Sequence, residues 1–274
     1  MISICFNGRL LPADAPVLPA DNKSYRYGDG LFETMKVVKG RISLAALHFE
    51  RLFSGLEILG YRVPQLLTPG KLQQEIQLLC KNNKCERLAR VRLSVSRGNG
   101  GIYDETDELQ YLIECWPLSE SSNQLNENGY SIDVFPDARK SCDVFSNIKS
   151  ANYLPYIMAA RYATVNRLND CLVMNVHERI ADASIANIFL IKNGKLTTPA
   201  LSEGCISGVM RRYLLQEFKA EETILSIEDV RAADEIFLTN AVNGLRWVKE
   251  FRNGKYDHQV ASEIQDRISK AIWS

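Results

Sequence analysis

The chain has 274 residues, 46 % of them hydrophobic, enough for one large domain or two ordinary ones with packed cores. Its 33 basic and 33 acidic residues cancel, which leaves no electrostatic footprint for nucleic acid or an anionic membrane surface; partners are expected to be small molecules or copies of the chain itself. The start lacks a basic stretch followed by a long apolar run, and no later run approaches the roughly 20 apolar residues that span a bilayer. A cytoplasmic protein with no membrane partner is expected.

In chain order, the first half alternates strand-like and helical segments. Ile2–Phe6, Glu33–Val38, Leu88–Ser96 and Leu109–Cys115 read as strands. Leu52, Phe53, Leu56 and Leu59 give the segment from Leu44 to Tyr61 helical spacing, and Lys71 to Cys80 repeats the pattern after Pro69-Gly70. Residues 1–118 are therefore expected to form a small α+β domain. The stretch Ser119-Glu-Ser-Ser-Asn-Gln-Leu-Asn126 offers no apolar face to a helix or a strand and is placed as the linker, residues 119–126. In residues 127–274, strands are expected at Ser131–Phe135, Cys171–Asn175, Ile188–Ile191 and Ile236–Thr239, with helices near Tyr153–Arg167, Gly208–Phe218 and Val260–Trp273. Lys192-Asn-Gly-Lys195 and Arg252-Asn-Gly-Lys255 carry Asn-Gly, a hairpin signal because both residues tolerate positive φ. The fold class is mixed α/β (α+β) in two domains.

Seven cysteines, Cys5, Cys80, Cys85, Cys115, Cys142, Cys171 and Cys205, form no C-x-x-C pair; an odd count of this kind reads as free, mostly buried thiols. His48, His177 and His258 lie too far apart in sequence for a metal-ligand cluster, so no metal is expected.

Three segments could carry chemistry. Ala89, Val91, Leu93 and Val95 share one face of a strand, and Arg90, Arg92, Ser94 and Ser96 the other. That polar face is either solvated or lines a pocket for a carboxylate or phosphate, which a guanidinium fork suits. Lys149 sits just before an amphipathic helix, and only neighbours that remove its proton would set it apart from a surface lysine. Gly204-Cys-Ile-Ser-Gly-Val-Met-Arg-Arg212 leads into a helix whose first N–H groups could cup an anion, as any helix start could.

Taken together, five ordered segments carry a resemblance. Tyr25-Arg-Tyr-Gly-Asp-Gly-Leu-Phe-Glu-Thr34 with His48-Phe-Glu-Arg-Leu52, then Ile148-Lys-Ser-Ala-Asn-Tyr-Leu154, Ile180-Ala-Asp-Ala-Ser-Ile-Ala-Asn-Ile-Phe189, Thr198 through Arg211, and Ala233-Asp-Glu-Ile-Phe-Leu-Thr-Asn-Ala241 resemble class IV aminotransferases, the fold-type-IV pyridoxal-phosphate enzymes. The resemblance covers nearly the whole chain. It implies pyridoxal 5'-phosphate held by Lys149 as a Schiff base, with Lys149 also moving the proton at the substrate α-carbon. It places Arg51, Ser207, Gly208, Val209, Met210, Asn240 and Ala241 around the phosphate, Tyr153 beside the ring, and Tyr27, Glu33 and Arg92 toward the substrate. A homodimer is implied as well. One departure stands out: the acid expected to pair with the ring nitrogen is usually glutamate and here is Asp182, with Glu178 the nearby alternative.

Two reactions share such a scaffold. Lys149-Ser-Ala-Asn-Tyr-Leu154 and Arg92 resemble amino-acid aminotransferases, including branched-chain enzymes. Ser96-Arg-Gly-Asn-Gly-Gly101, Gly208-Val-Met-Arg211 and Asn240-Ala241 resemble aminodeoxychorismate lyases, which release pyruvate and 4-aminobenzoate. Ile102 stands where the lyases carry an arginine and near the carboxylate-binding residues of D-amino acid aminotransferases. The preferred reading is amino transfer between an α-amino acid and a 2-oxo acid, with the lyase as the alternative and a catalytically idle relative as a third.

Overall fold

The computed structural model describes residues 2–105 and 107–273; Met1 and Ser274, the outer ends of the expected domains, and Thr106 lie outside the described residues. The chain divides into two compact units. One runs to Glu120 and takes back Ile148–Asn152; the other holds Ser121–Asn147 and the chain from Tyr153 on.

The first unit contains β1 (Ser3–Phe6), β2 (Arg9–Pro12), α1 (Lys23–Tyr27), β3 (Gly30–Val38), β4 (Arg41–Ile42), α2 (Ala45–Ile58), α3 (Pro69–Asn82), β5 (Leu88–Ser96) and β6 (Gln110–Pro117). Its strands form one antiparallel sheet in the order β2-β1-β6-β5-β3-β4. Phe49, Leu52 and Leu56 of α2 and Leu72, Ile76 and Leu79 of α3 recur at helical spacing and pack on the inward residues of the sheet, among them Leu31, Met35, Val91, Leu93 and Ile113. α3 begins where Thr68 Oγ1 accepts the Lys71 N–H at 3.2 Å, with Pro69 in its first turn. Because successive strand residues alternate, the opposite sheet face carries cross-strand rows Phe32/Ser94/Leu112, Thr34/Arg92/Glu114 and Lys36/Arg90/Trp116.

The second unit contains β7 (Tyr130–Val134), α4 (Leu154–Val165), β8 (Asp170–Met174), β9 (Ile180–Ala183), β10 (Asn187–Lys192), β11 (Lys195–Pro199), α5 (Val209–Glu217), β12 (Glu221–Thr223), α6 (Ile227–Arg231), β13 (Glu235–Asn240), β14 (Gly244–Phe251), β15 (Gly254–Lys255) and α7 (Gln259–Ile272). A mixed sheet runs β12-β11-β10-β13-β14-β7-β8-β9, with β15 added to β14. One core lies among Ile132, Leu172, Ile188, Leu190, Ile236, Leu238 and Val248, and another sits under α4 at Phe135, Tyr156, Ala159 and Val173.

The expected helices appear within a few residues of their predicted ends, and β5 spans Leu88–Ser96 as predicted. β14 is absent from the sequence reading because its run Gly-Leu-Arg-Trp-Val-Lys-Glu-Phe has no clean alternation, and burial reaches both of its faces. Short elements such as β4, β12 and α6 carry too few residues to set a period. Asn193-Gly194 does form the expected hairpin turn, both residues having positive φ, between the paired Lys192 and Lys195. The second hairpin is offset by one: Phe251 pairs with Gly254, so Arg252-Asn253 makes the turn and Arg252 takes φ +54°. Phe251 is fully buried and pairs with Gly254, so the tertiary register outweighs the Asn-Gly preference here. The polar stretch around Ser119–Asn126 is ordered: it contains a 3-10 turn at Glu120–Asn123, and Asn126 exchanges side-chain hydrogen bonds with the Trp247 backbone at 2.9 and 3.0 Å. Among the described residues no helix is long and apolar enough to cross a membrane.

Candidate active site

In the first unit, Lys149 lies on a short segment that pairs with the beginning of β3. Phe32 N–H donates to the Lys149 carbonyl at 3.0 Å and Ala151 N–H to the Gly30 carbonyl at 2.8 Å. Backbone pairing therefore fixes where this lysine leaves the chain. Its Nζ lies 4.5 Å from the centroid of the Phe32 ring, and the Arg92 guanidinium carbon lies 3.9 Å from the same centroid. The Lys149 amine and the Arg92 guanidinium thus both lie against one aromatic ring, whose quadrupole favours positive charge. Arg92 Nε also donates to Ser94 Oγ at 3.1 Å, and in register Arg92 stands opposite Glu114. Arg90, two residues away, is exposed and lies over Trp116.

On the inward face of β3, Glu33 is 1 % exposed. Arg51 Nε donates to its Oε1 at 2.7 Å and Arg51 Nη2 to its Oε2 at 2.6 Å, while His48 Nδ1 meets Oε2 at 2.7 Å. Burial alone would raise the Glu33 carboxyl, but the Arg51 charge and the His48 hydrogen bond outweigh it and hold the group at about 2. Burial pushes His48 below the usual imidazole range against the pull of Glu33, so Nδ1 carries the proton and donates. His48 Nε2 is buried without a hydrogen-bond partner. Tyr27 is exposed at the end of α1. A cavity of about 390 Å³ opens on the Ser94–Glu114 side of the sheet, but neither Arg92 nor Lys149 lines it.

In the second unit, Asp182 on β9 is 1 % exposed and heavily hydrogen-bonded. Its Oδ2 accepts from Lys140 Nζ at 3.1 Å, Tyr156 Oη at 2.7 Å and the Ile206 N–H at 2.9 Å, and its Oδ1 from Asn187 Nδ2 at 2.8 Å. Burial, reinforced by the Asp182 charge, keeps the Tyr156 hydroxyl well above its ordinary range and hence a donor. Three donors fill Oδ2; one donor on Oδ1 leaves a lone pair for a further partner. The alternative acid, Glu178, lies at a positive-φ turn, largely exposed and paired with Arg139 at 2.8 Å.

Asn187 links this carboxylate to the start of α5. Its Nδ2 donates to the Ile206 carbonyl at 2.9 Å, and a Cβ on Gly208 would come within 1.9 Å of its Oδ1. Gly208 is the N-cap of α5 and supplies no side-chain cap, so the first N–H groups, those of Val209 and Met210, have no intrahelical acceptor. Ser207 N–H donates to the Asn147 carbonyl at 2.9 Å. Across the sheet Asn187 pairs with Thr239, which brings Asn240 and Ala241 to the same end; Asn240 Oδ1 caps the turn by accepting from Val242 and Asn243 N–H at 3.1 and 2.9 Å. Tyr153 stacks on Tyr156 with centroids 4.5 Å apart and its hydroxyl donates to the Ser184 carbonyl at 3.4 Å. Arg211, buried at 1 %, turns away to the Pro199 carbonyl and to Glu222.

The first unit therefore gathers Lys149, Arg92, Glu33 and Arg51, and the second gathers Asp182, Tyr153, Ser207–Met210 and Asn240–Ala241. Sequence reasoning missed Lys140 and Tyr156, because their connection to Asp182 spans 42 and 26 residues. The amino-transferase class IV family matches residues 30–251, most of the chain. The chain belongs to the class IV aminotransferase family. Curated members that it resembles are an aminodeoxychorismate lyase of Bacillus subtilis, 26 % identical over 281 residues (98 % of this chain, 94 % of the lyase), and a D-alanine aminotransferase of Listeria monocytogenes, 23 % identical over 290 residues (98 % and 97 %). The fold is also that of the branched-chain aminotransferase of Thermoproteus uzoniensis, with a TM-score of 0.86 at 22 % identity, covering 97 % of this chain and 94 % of that one. These class IV relatives are transaminases and lyases, and this chain is an enzyme of the same pyridoxal-phosphate-dependent family.

Three features suit such a cofactor: an amine held against Phe32, a buried carboxylate with one lone pair open, and an uncapped helix start where glycine alone fits.

Proposed function

We propose that this class IV enzyme transfers an amino group between an α-amino acid and a 2-oxo acid. The observation that carries the reading is the meeting of Lys149 Nζ and the Arg92 guanidinium on the Phe32 ring, at 4.5 and 3.9 Å from its centroid. A planar fork beside an amine suits a substrate whose carboxylate and reacting α-carbon are one bond apart. Arg92 would hold the carboxylate, and Lys149 Nζ would carry the cofactor and, once displaced from it by the substrate amine, would take the proton from the substrate α-carbon. When bound, pyridoxal 5'-phosphate supplies the electron sink that makes this carbon acidic.

The other residues prepare and hold. Asp182 offers its open Oδ1 lone pair to the ring nitrogen, and the short Asp side chain is kept in place by Lys140, Tyr156 and Asn187. In the second unit the N–H groups of Val209 and Met210, with Ser207, Gly208, Asn240 and Ala241, would bind the phosphate; the family resemblance adds Arg51. Tyr153 flanks the ring. Arg51 and His48 both hydrogen-bond Glu33, which positions Arg51, and Glu33 Oε1, with a single donor, keeps a lone pair for substrate. Tyr27, exposed on α1, remains available to substrate.

The lyase reading rests on a specific similarity, the 26 % identity to the Bacillus subtilis lyase across nearly the whole chain. Against it, the residue standing where lyases carry arginine, Ile102, is 64 % exposed and cannot hold a carboxylate. A homodimer and a cytoplasmic setting belong to the proposal, supported by Leu154, Ile157, Met158 and Val165, which leave an apolar stripe of α4 in water, and by seven free cysteines. The deciding experiment is single-turnover spectroscopy of the loaded enzyme with L- and D-amino acids and with aminodeoxychorismate. Amino transfer from an α-amino acid is expected; 4-aminobenzoate formed faster than any amino-acid turnover reverses the order.

A further inference from the structure

Cys80, Cys85 and Cys115 come from separate places in the first unit and meet in its core. Cys80 lies in the last turn of α3. Beyond the helix the chain reverses through Lys84 at φ +56°, and Cys85 N–H donates to the Cys80 carbonyl at 2.9 Å. Cys115 lies on β6 and points inward with Tyr111 and Ile113. All three Sγ atoms lie within 4.8 Å of one another, and Cys85 Sγ donates to Cys115 Sγ at 3.5 Å. They are 0 %, 4 % and 5 % exposed. Asn83 aims a further donor at the cluster, its Nδ2 reaching Cys115 Sγ at 3.3 Å. That amide is itself fixed to β1, donating to the Ser3 carbonyl at 2.8 Å and accepting from Ser3 N–H at 2.9 Å.

We propose that Cys80, Cys85 and Cys115 form a three-sulfur site for a monovalent thiophilic cation, copper(I). A single buried thiol is adequately explained as a small hydrophobe. Three sulfurs converging on one point, with an oriented amide on one of them, call for more. Metal–sulfur bonds of about 2.3 Å in a trigonal arrangement set the sulfurs about 4 Å apart, a spacing bracketed by the 3.5 Å contact and the 4.8 Å limit. A disulfide, at about 2.05 Å, would need a pair to close by well over an ångström. Coordination therefore demands less movement than oxidation. Zinc is almost always four-coordinate; among the described residues no histidine or carboxylate joins the three thiols, and burial shuts out water as a fourth ligand. Soft sulfur donors select copper(I), which three of them satisfy. The sulfurs bind as thiolates, so cation entry is accompanied by release of their protons to solvent with no electron transferred, and the Asn83 amide offsets part of the negative charge that remains. Cys115 is the sulfur already receiving donors from Cys85 and Asn83.

The bound ion would tie the end of α3 to β6, at a site sharing no residue with the cluster around Lys149. The test is an anaerobic titration of the reduced, cofactor-loaded full chain with copper(I) held by a coloured copper(I) chelator. The expected result is withdrawal of one equivalent, with a sulfur-to-copper band in the ultraviolet and a raised Tm. Cys115→Ala is expected to abolish withdrawal, Asn83→Ala to weaken it by about 10–100-fold through the lost donor, and Cys142→Ser to leave it unchanged. No withdrawal by the native chain overturns the proposal. So does retention in Cys115→Ala, loss in Cys142→Ser, or tighter holding of zinc(II). Should Cys115→Ala not fold, alkylation of the native chain in mild denaturant decides. Copper(I) is expected to protect Cys80, Cys85 and Cys115, and equal labelling with and without it overturns the site.

Discussion

Asp182 shows how much a single side chain depends on its neighbours here. Its buried charge is balanced by Lys140 at 3.1 Å, so removing that cation leaves an uncompensated carboxylate. Lys140→Met is expected to lower stability by roughly 3–5 kcal/mol, measured by denaturant unfolding; a change below 1 kcal/mol, on the order of an exposed pair, would show that Lys140 does not balance Asp182. Arg92→Leu removes the proposed carboxylate contact and is expected to raise KM by about 10–100-fold, a charged hydrogen bond being worth about 1.5–3 kcal/mol. An unchanged KM for every amino acid would take Arg92 out of the substrate site. Glu33 brings a pH dependence. Its carboxyl is held at about 2 against an ordinary 4.5, so its contribution is present above 4.5 and fades as pH falls toward 2. His48, held below its ordinary 6.5, adds a loss in the same direction, because the unfolded chain takes up its proton first as pH falls below 6.5. Unfolding free energy measured from pH 7 to 3 is expected to fall more steeply for the native chain than for Glu33→Gln; parallel curves would contradict this.

At the level of elements, α5 shows the consequence of a helix that starts without a side-chain cap. Ser, Thr, Asp or Asn is the common choice at such a start, yet Gly208 stands there because Asn187 Oδ1 occupies the place of a Cβ. Gly208→Ala must displace Asn187, and with it the hydrogen bond to Asp182. Cofactor affinity is expected to drop by at least about tenfold, as for disturbed outer-shell partners at other bound groups, with Asn187→Ala reproducing much of the loss in equilibrium dialysis. Affinity unchanged in Gly208→Ala would place the phosphate elsewhere. The first-turn N–H groups could be anticipated from the Gly-Val-Met run. The reason for glycine could not, since it lies in a contact across 21 positions of sequence.

For the whole molecule, zero net charge predicts minimal solubility near neutral pH and higher solubility as pH falls and first histidines, then carboxylates, take up protons. Turbidity of concentrated solutions across pH 5–8 would test it. The sequence by itself determined the local terms. Periodicity set α2, α3 and β5, Asn193-Gly194 set its hairpin, and the ordered segments from Tyr25 to Ala241 marked the family. These are legible because a period or a turn preference acts between residues a few positions apart. Tertiary structure decided what long-range burial controls. It shifted the Phe251–Gly254 turn by one residue and returned Ile148–Asn152 to the first unit. It also closed Glu33 on Arg51 and His48, surrounded Asp182 with Lys140 and Tyr156, and joined Cys115 to Cys80 and Cys85. Each of these depends on which distant side chains share the same dry space, where an unpaired polar group is costly, and no local pattern in the chain carries that information.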